Sequence, residues 1–452
     1  MRNARHRRWT ASIVAAAALG LTLSACTGDI AEEEAGDVDC ADYESYGTFD
    51  GAEVTVAGTI LDLEADNLNK SWADFETCTG IDVEYQGSSE FEAQIAVLAE
   101  GGNAPDVGIV PQPGLLNRLA GGGWLIPASQ AVEDNVDEFW SEDWKTYGTV
   151  DGTFYAAPLM ASIKGYVWYS PAEFEEKGYE IPKTLDELTT LSETIAAEGD
   201  HKPWCVGLES GEATGWPGTD WVEDYMLRLN GPDAYDQWVA HEIPFNDPQV
   251  AAAFDAVGGY LKNEDMVNGG IGDVSTQVSE AFQTAGLPIL DGECSLHHQA
   301  SFYETFWNPE GGDDVKVASD GDVFGFLLPP ANADDPLSVT GGGEFPVAFR
   351  DAEEVEAFRA YLSSDTWANN RVSLGGVISA NKGVDPQNAS SELLTQSIEI
   401  LQDPETTFRF DGSDLMPGAV GTDSFWKGIV AWVGGEDTAQ VLDTIEGTWP
   451  TS

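Results

Sequence analysis

The chain has 452 residues, with 79 acidic against 20 basic side chains and a formal charge of −59 at pH 7. That length allows two or three domains with real cores, and a field of that sign excludes nucleic acid and anionic lipid headgroups as partners. Fifteen tryptophans and an aromatic content of 10% exclude a disordered chain.

Arg2, Arg5, Arg7 and Arg8 form a cationic head, and an apolar run from Ile13 to Leu23 follows, broken only by Gly20 and Thr22. The run is too short to span a bilayer and carries the three-part layout of an export signal. It ends in Leu23-Ser24-Ala25-Cys26, small residues before a thiol. The arrangement resembles a bacterial lipoprotein signal, which implies removal of residues 1–25 and lipidation of Cys26. The product is expected on the extracellular face of the cell membrane, held by its lipid. Residues 26–50, with Glu32-Glu33-Glu34, are acidic and rich in small residues, and read as a flexible tether.

Beyond the tether the pattern changes to structured elements. Glu53 to Gly58 reads as a strand, Trp72 and Phe75 fall on a helix, and Ile81 to Tyr85 alternates at period two. Phe91, Ile95 and Leu98 recur at helical spacing, and Pro105 to Val110 gives a third strand. Strand, helix, strand, helix, strand is the order of a parallel α/β sheet. Past a turn at Asp151-Gly152, Val167-Trp168-Tyr169 is a short apolar strand. Thr184 to Glu187 has capping-box spacing ahead of Leu188, Leu191 and Ile195. Asp247-Pro248 caps a helix carrying Val250, Phe254, Val257 and Leu261, and Val323 to Leu327 is a buried-type strand. Asp351 repeats the cap signal before Val355, Phe358 and Leu362. Gly341-Gly342-Gly343 reads as a turn. No internal repeat and no long linker divides this body.

Four stretches carry a family resemblance. They are Gly101 to Asp106 with Gly121 to Pro127, Tyr155 to Pro158 leading to Lys164 to Ser170, Leu374 to Asn381, and Asp411 to Pro417 with Ser424-Phe425-Trp426. In order and spacing they resemble the maltose-binding-like sugar-binding proteins of ABC importers, in their alpha-glucoside branch. The resemblance implies an α/β chain with a two-lobed, periplasmic-binding-protein-like fold, each lobe a mainly parallel sheet flanked by helices, with a ligand cleft between them. Residues 51–163 and 326–378 would form the first lobe, and 164–325 and 379–452 the second, with hinge crossings between. It further implies a sugar or oligosaccharide ligand, an ABC permease and its ATPase as partners, a monomer, and no cofactor.

With Cys26 set aside, Cys40, Cys78, Cys205 and Cys294 make an even number in an oxidising compartment, at spacings that match no zinc template. Three pairings are open; Cys40–Cys78 and Cys205–Cys294 are favoured, since each staples a segment within one proposed lobe.

A sugar offers apolar C–H faces and hydroxyl edges, so its site needs aromatic platforms rimmed by hydrogen-bonding groups. The richest candidate is Gly215 to Trp221, which sets Trp216, Asp220 and Trp221 on a Gly/Pro-rich entry to a helix, with Asp224 one turn on. By resemblance, Trp426 stands at a stacking position, Asp414 shares its stretch or shapes the hinge, and Gln112 falls where the family places a polar sugar contact, although this chain lacks the usual Asp there. Lys164, beside the first crossing, is placed to bond a hydroxyl or pair with an acid. Asp62 and Glu64, with Asn67, follow the first strand at the carboxyl end where α/β clefts open. His297-His298 has poor metal-ligand spacing and reads as packing. No Gly-x-Ser-x-Gly, His-Glu-x-x-His or phosphate-loop pattern is present, so the chain reads as a binding protein and not an enzyme. The alternatives are a cell-surface glycosidase and a lipoprotein binding a non-sugar solute.

Overall fold

A computed structural model describes residues 38–270, 273–308 and 315–450. The export signal and Cys26 lie outside the described residues. Residues Cys40–Ser452 form one unit. The expected tether ends sooner than residue 50: Cys40–Tyr46 is a 3₁₀ helix, tied to the first helices by the Cys40–Cys78 disulfide. Tyr43 is buried there, 5.6 Å from the ring of Tyr361. Apolar anchors at Tyr43 and Tyr46 thus outweigh the acidic composition that suggested a tether.

The strands, in chain order, are β1 Ala52–Gly58, β2 Ile81–Gly87, β3 Val107–Val110, β4 Thr149–Val150, β5 Thr153–Phe154, β6 Ala161–Ile163 and β7 Tyr166–Tyr169. The second half adds β8 Lys202–Cys205, β9 Val267–Asn268, β10 Cys294–Gln299, β11 Phe324–Leu327, β12 Ser338–Gly343, β13 Phe345–Ala348 and β14 Thr407–Phe410.

The first lobe is built on the sheet β13-β3-β1-β2. Its strands β1 and β2 run parallel in unbroken register from Ala52↔Ile81 to Gly58↔Gly87, as their alternating sequences and short helical crossover require. The second lobe holds β11-β7-β10-β8-β9. Here β10 is parallel to β8, and β8 to β9, but β7 runs antiparallel to both β10 and β11. This sheet is therefore mixed where a mainly parallel one was expected.

A third sheet, β14-β12-β6, joins the lobes. Each of its strands is a crossing, so the connection is three hydrogen-bonded strands. Gly341-Gly342-Gly343 lies within β12 and is not a turn. A Cβ at Gly341 would stand 2.3 Å from the Ser162 carbonyl, and one at Gly343 would stand 2.5 Å from that of Met160. Glycine is demanded by strand-to-strand approach, a cause that local sequence reading misses.

Phe326 pairs with Val167 in the sheet that holds β7 and β10. Lys382 bonds the carbonyls of Phe139 and Trp140. The cap expected at Asp351 is absent: Ala352 starts the helix Glu353–Leu362 with no side-chain cap bond. Thr184 and Asp247 cap as expected. Cys205–Cys294 joins β8 to β10 in the second lobe. Both favoured cysteine pairs are therefore present. Eight tryptophans are fully buried, so core packing accounts for most of the indoles.

Candidate functional site

The site is built where the crossings leave the third sheet. Lys164 follows β6, Asp411 follows β14, and Glu344 follows β12. The helix Trp216–Val239 enters from the second lobe, with Pro217 in its first turn and Gly215, at φ 116°, before it. Residues 216, 220 and 223 share one side of this helix at three- and four-residue spacing. Trp216, Asp220 and Glu223 therefore face the same region.

Lys164 is the centre. Its Nζ lies 3.2 Å from each Asp220 oxygen and 3.2 Å from Asp411 Oδ2. The same ammonium sits 4.5 Å from the centre of the Trp216 ring. Asp220, Glu223 and Asp411 are all buried, with carboxylate oxygens within 4.8 Å of one another. These oxygens are the donor set of a hard cation, and the Lys164 ammonium supplies that positive charge.

The electrostatics follow from this crowding. Burial opposes ionisation of Asp411, but the Lys164 ammonium, with hydrogen bonds from Glu223, Asp220 and Ser413, holds its carboxyl down at about 2. Asp220, Glu223 and Asp414 are pushed well above the usual carboxylate range, first by burial and then by the neighbouring Asp411 charge, with Lys164 opposing at Asp220 and Asp414. Burial alone would depress Lys164, yet Asp220 and Asp411 raise it and keep it charged. One ion pair with protonated acids around it is the stable arrangement.

One indole flanks the cluster, and a second enters through the backbone beside it. Trp216 is half-buried, edge-on to Phe282 at 4.9 Å and 6.2 Å from Phe302. Trp426 is 7% exposed, and its Nε1 has no hydrogen-bond partner. Gly215 backs onto the Trp426 carbonyl, where a Cβ would stand 2.3 Å away. That close approach brings the backbone of Trp426 against the residue that precedes Trp216, 210 positions earlier in the chain. Gln112, at the carboxyl end of β3, is buried and donates to Glu92 at 2.8 Å. Asp414 is half-buried and shares the field of Asp411, Lys164 and Glu92.

The expected residues therefore divide. Trp216, Asp220 and Lys164 meet directly, Asp414 and Gln112 adjoin them through Asp411 and Glu92, and Trp426 approaches through its backbone at Gly215. Glu64 is half-buried on the first-lobe side, where burial raises its carboxyl and Arg371 opposes the rise. Asp62 is exposed at the start of its helix, at φ 52°, and stands outside the cluster. Trp221 is a correction: it is 1% exposed, packed against Trp204 at 4.8 Å and His298 at 4.4 Å. Five positions after Trp216 is about 140° around the helix, so Trp221 points into the core. His298 bonds Asp224 at 2.8 Å, Arg228 reaches the same carboxylate at 2.7 Å, and Thr340 donates from β12. Asp224 is thus a buried anchor between the helix and the crossing sheet.

Sequence reading missed Glu223, Asp411, Glu92, Glu344 and Arg371 as members of the site. Glu223 was accessible from helical spacing, and Asp411 stood in a quoted motif as a marker only. Glu92, Glu344 and Arg371 carry no local signal.

Comparisons with known proteins agree on one group. The family model described as "Bacterial extracellular solute-binding protein" matches residues 62–364. The chain is 40% identical over 406 residues, 89% of its length and 94% of the relative's, to the osmoprotective compounds-binding protein GgtB of Synechocystis sp.. It is 39% identical over 410 residues, 88% of its length and 87% of the relative's, to the alpha-glucosides-binding periplasmic protein AglE of Rhizobium meliloti. Among solved structures, the solute receptor AcbH superposes with a TM-score of 0.72 at 17% identity, covering 88% of this chain and 98% of that one. Maltose-bound MalE3 of T. maritima gives 0.68 at 18%, with the same coverage.

Proposed function

Because the chain belongs to the bacterial extracellular solute-binding proteins, we propose that it is the sugar-capturing component of an ABC importer. Its ligand is an alpha-glucoside or related oligosaccharide, held between the lobes and passed to a permease driven by an ATPase. The observation that carries this reading is the half-buried Trp216 ring beside the Lys164 carboxylate cluster, with the Trp426 backbone packed against Gly215. Ring faces receive the sugar's C–H surface, and the charged groups around them bond its hydroxyls. Hydrogen bonds to charged partners contribute about 1.5–3 kcal/mol each, and micromolar affinity needs about 8 kcal/mol net. Two rings and a few such bonds are enough.

Capture is a binding event without covalent chemistry. A ligand that touches Gln112 in the first lobe and Trp216 in the second stabilises the closed arrangement, because contact with one lobe alone has no leverage on the hinge. Closure then creates the composite surface a permease reads. Lipidation at Cys26 would keep the monomer near that permease, since acyl chains contribute about 0.8 kcal/mol per buried methylene. Among the described residues no helix is long and apolar enough to cross a membrane.

The test is calorimetric titration with maltose, trehalose, sucrose and longer alpha-glucans, extended to small osmoprotective solutes by the likeness to GgtB. Small-angle scattering with and without the binding sugar should show compaction. Binding without compaction removes the hinge mechanism, and turnover of any sugar would return the glycosidase alternative.

A further inference from the structure

On the first-lobe side, one buried cation is only half satisfied. Arg371 lies on the helix Asp365–Ser373 and is 1% exposed. Its Nη1 donates to the Gly375 carbonyl at 2.8 Å. Gly375 and Gly376, at φ 84° and 77°, turn the chain so that this carbonyl comes back to the guanidinium. Nε and Nη2 reach no acceptor at all.

Those two N–H groups lie along one edge of the planar guanidinium, parallel and spaced for a pair of adjacent oxygens. The acids that act on Arg371 electrostatically are Glu64 and Glu344, yet neither bonds it. Glu344 Oε2 is itself buried without a partner. A structural ion pair would have closed on both vacant edges, because an unmet buried charge is expensive. The side chains instead leave two donors and one acceptor unpaired, next to the Lys164 cluster whose field Glu344 shares.

We propose that the Nε/Nη2 edge of Arg371 and the Oε2 of Glu344 form a subsite that reads a vicinal diol. The two neighbouring hydroxyl oxygens accept from the fork, and one of those hydroxyls donates to Glu344. The inference rests on the sugar-binding reading above and sharpens it: the ligand presents two free adjacent hydroxyls on the first-lobe side, while its ring faces meet Trp216 and Trp426. Blocking or removing either hydroxyl leaves one N–H of the fork unmet.

The test compares the parent with Arg371→Lys and Glu344→Gln. Lysine keeps the charge but not the fork, and glutamine keeps the shape but turns an acceptor into a donor. Melting is followed without sugar, and affinity is measured for maltose, trehalose and sucrose and for deoxy derivatives of the sugar that binds. The expected result is ligand-free melting of each variant within about 2 °C of the parent, with affinity at least about tenfold weaker. Removing one hydroxyl of the diol should weaken binding to the parent and make little difference to Arg371→Lys. Unchanged affinity in either variant overturns the subsite alone. Ligand-free melting lowered in both by about 5–10 °C makes the pair a structural bridge and also overturns it. A parent that binds none of the sugars overturns the sugar reading, and the subsite with it.

Discussion

Replacing Lys164 with Met tests whether one ammonium holds the site together. In the parent, Asp411 is held at about 2, below an ordinary 3.8. That difference corresponds to ~2.5 kcal/mol of stability at ~1.4 kcal/mol per pH unit. It is present above pH ~4 and lost as the pH falls toward 2. Lys164 is the largest favourable cause, so Lys164→Met removes most of it and leaves a buried carboxylate alone. Breaking such a pair costs about 3–5 kcal/mol. The variant can escape by protonating Asp411, as its neighbours already are. Its folded state then binds one more proton than its unfolded state, so its stability falls as pH rises, at ~1.4 kcal/mol per pH unit. Urea denaturation followed by tryptophan fluorescence should show a loss of about 3–5 kcal/mol at pH 8. Between pH 8 and pH 5 that loss should shrink by up to ~4 kcal/mol. A loss below ~1 kcal/mol at pH 8, or one equal at both pH values, would refute the argument.

Trp216→Ala and Trp426→Ala should each weaken sugar binding by about 1–3 kcal/mol, measured by calorimetry, with the far-UV circular dichroism spectrum unchanged. Gly215→Ala should weaken binding as well, because its Cβ would displace the Trp426 backbone; parent-like affinity would separate the two rings. Burial pushes Glu304 up to about 7, with a Ser391 hydrogen bond opposing. A raised carboxyl contributes stability below its ordinary 4.5 and loses it as pH climbs to 7. Glu304→Gln should remove up to ~3 kcal/mol of that decline, read from melting at pH 5 and pH 8. Cys205→Ser with Cys294→Ser should cost about 2–5 kcal/mol in urea. Thiol titration of the unreduced, denatured parent should find none of the four paired cysteines free. Cys26→Ser should release the protein into the medium or block its processing, and normal lipid labelling would contradict the anchor.

The first lobe was legible because its signals are local. Glu53 to Gly58, Ile81 to Tyr85 and Pro105 to Val110 alternate or run apolar within a few residues, and each became a strand of one sheet. The disulfides were legible because both pairs join neighbouring elements. Trp216, Asp220 and Lys164 were found because aromatic and charged residues beside Gly and Pro are costly unless used. What failed to show was anything set by distant approach. Gly341 to Gly343 passed for a turn, since only the Ser162 and Met160 carbonyls reveal why no side chain fits. Glu344 and Arg371 are one acid among 79 and one ordinary helical arginine; their meaning lies in partners over 25 residues away. Trp221, which core packing could equally claim from sequence, stands about 140° around the helix from Trp216 and is buried.

The crossings have one further consequence. Segments that connect lobes as separate threads would let them swivel about any axis. Here β6, β12 and β14 are bonded edge to edge, so the connection behaves as a leaf spring. Strands that stay paired can twist and bow, but cannot slide or splay without giving up ladder bonds. On the hinge mechanism proposed above, opening would be confined to the soft modes of a three-stranded ribbon. The glycines that let its backbones press together also determine how thin, and so how pliant, that ribbon is. Placing Lys164, Asp411 and Glu344 at its strand ends means that any flexing of the spring changes the distances among them.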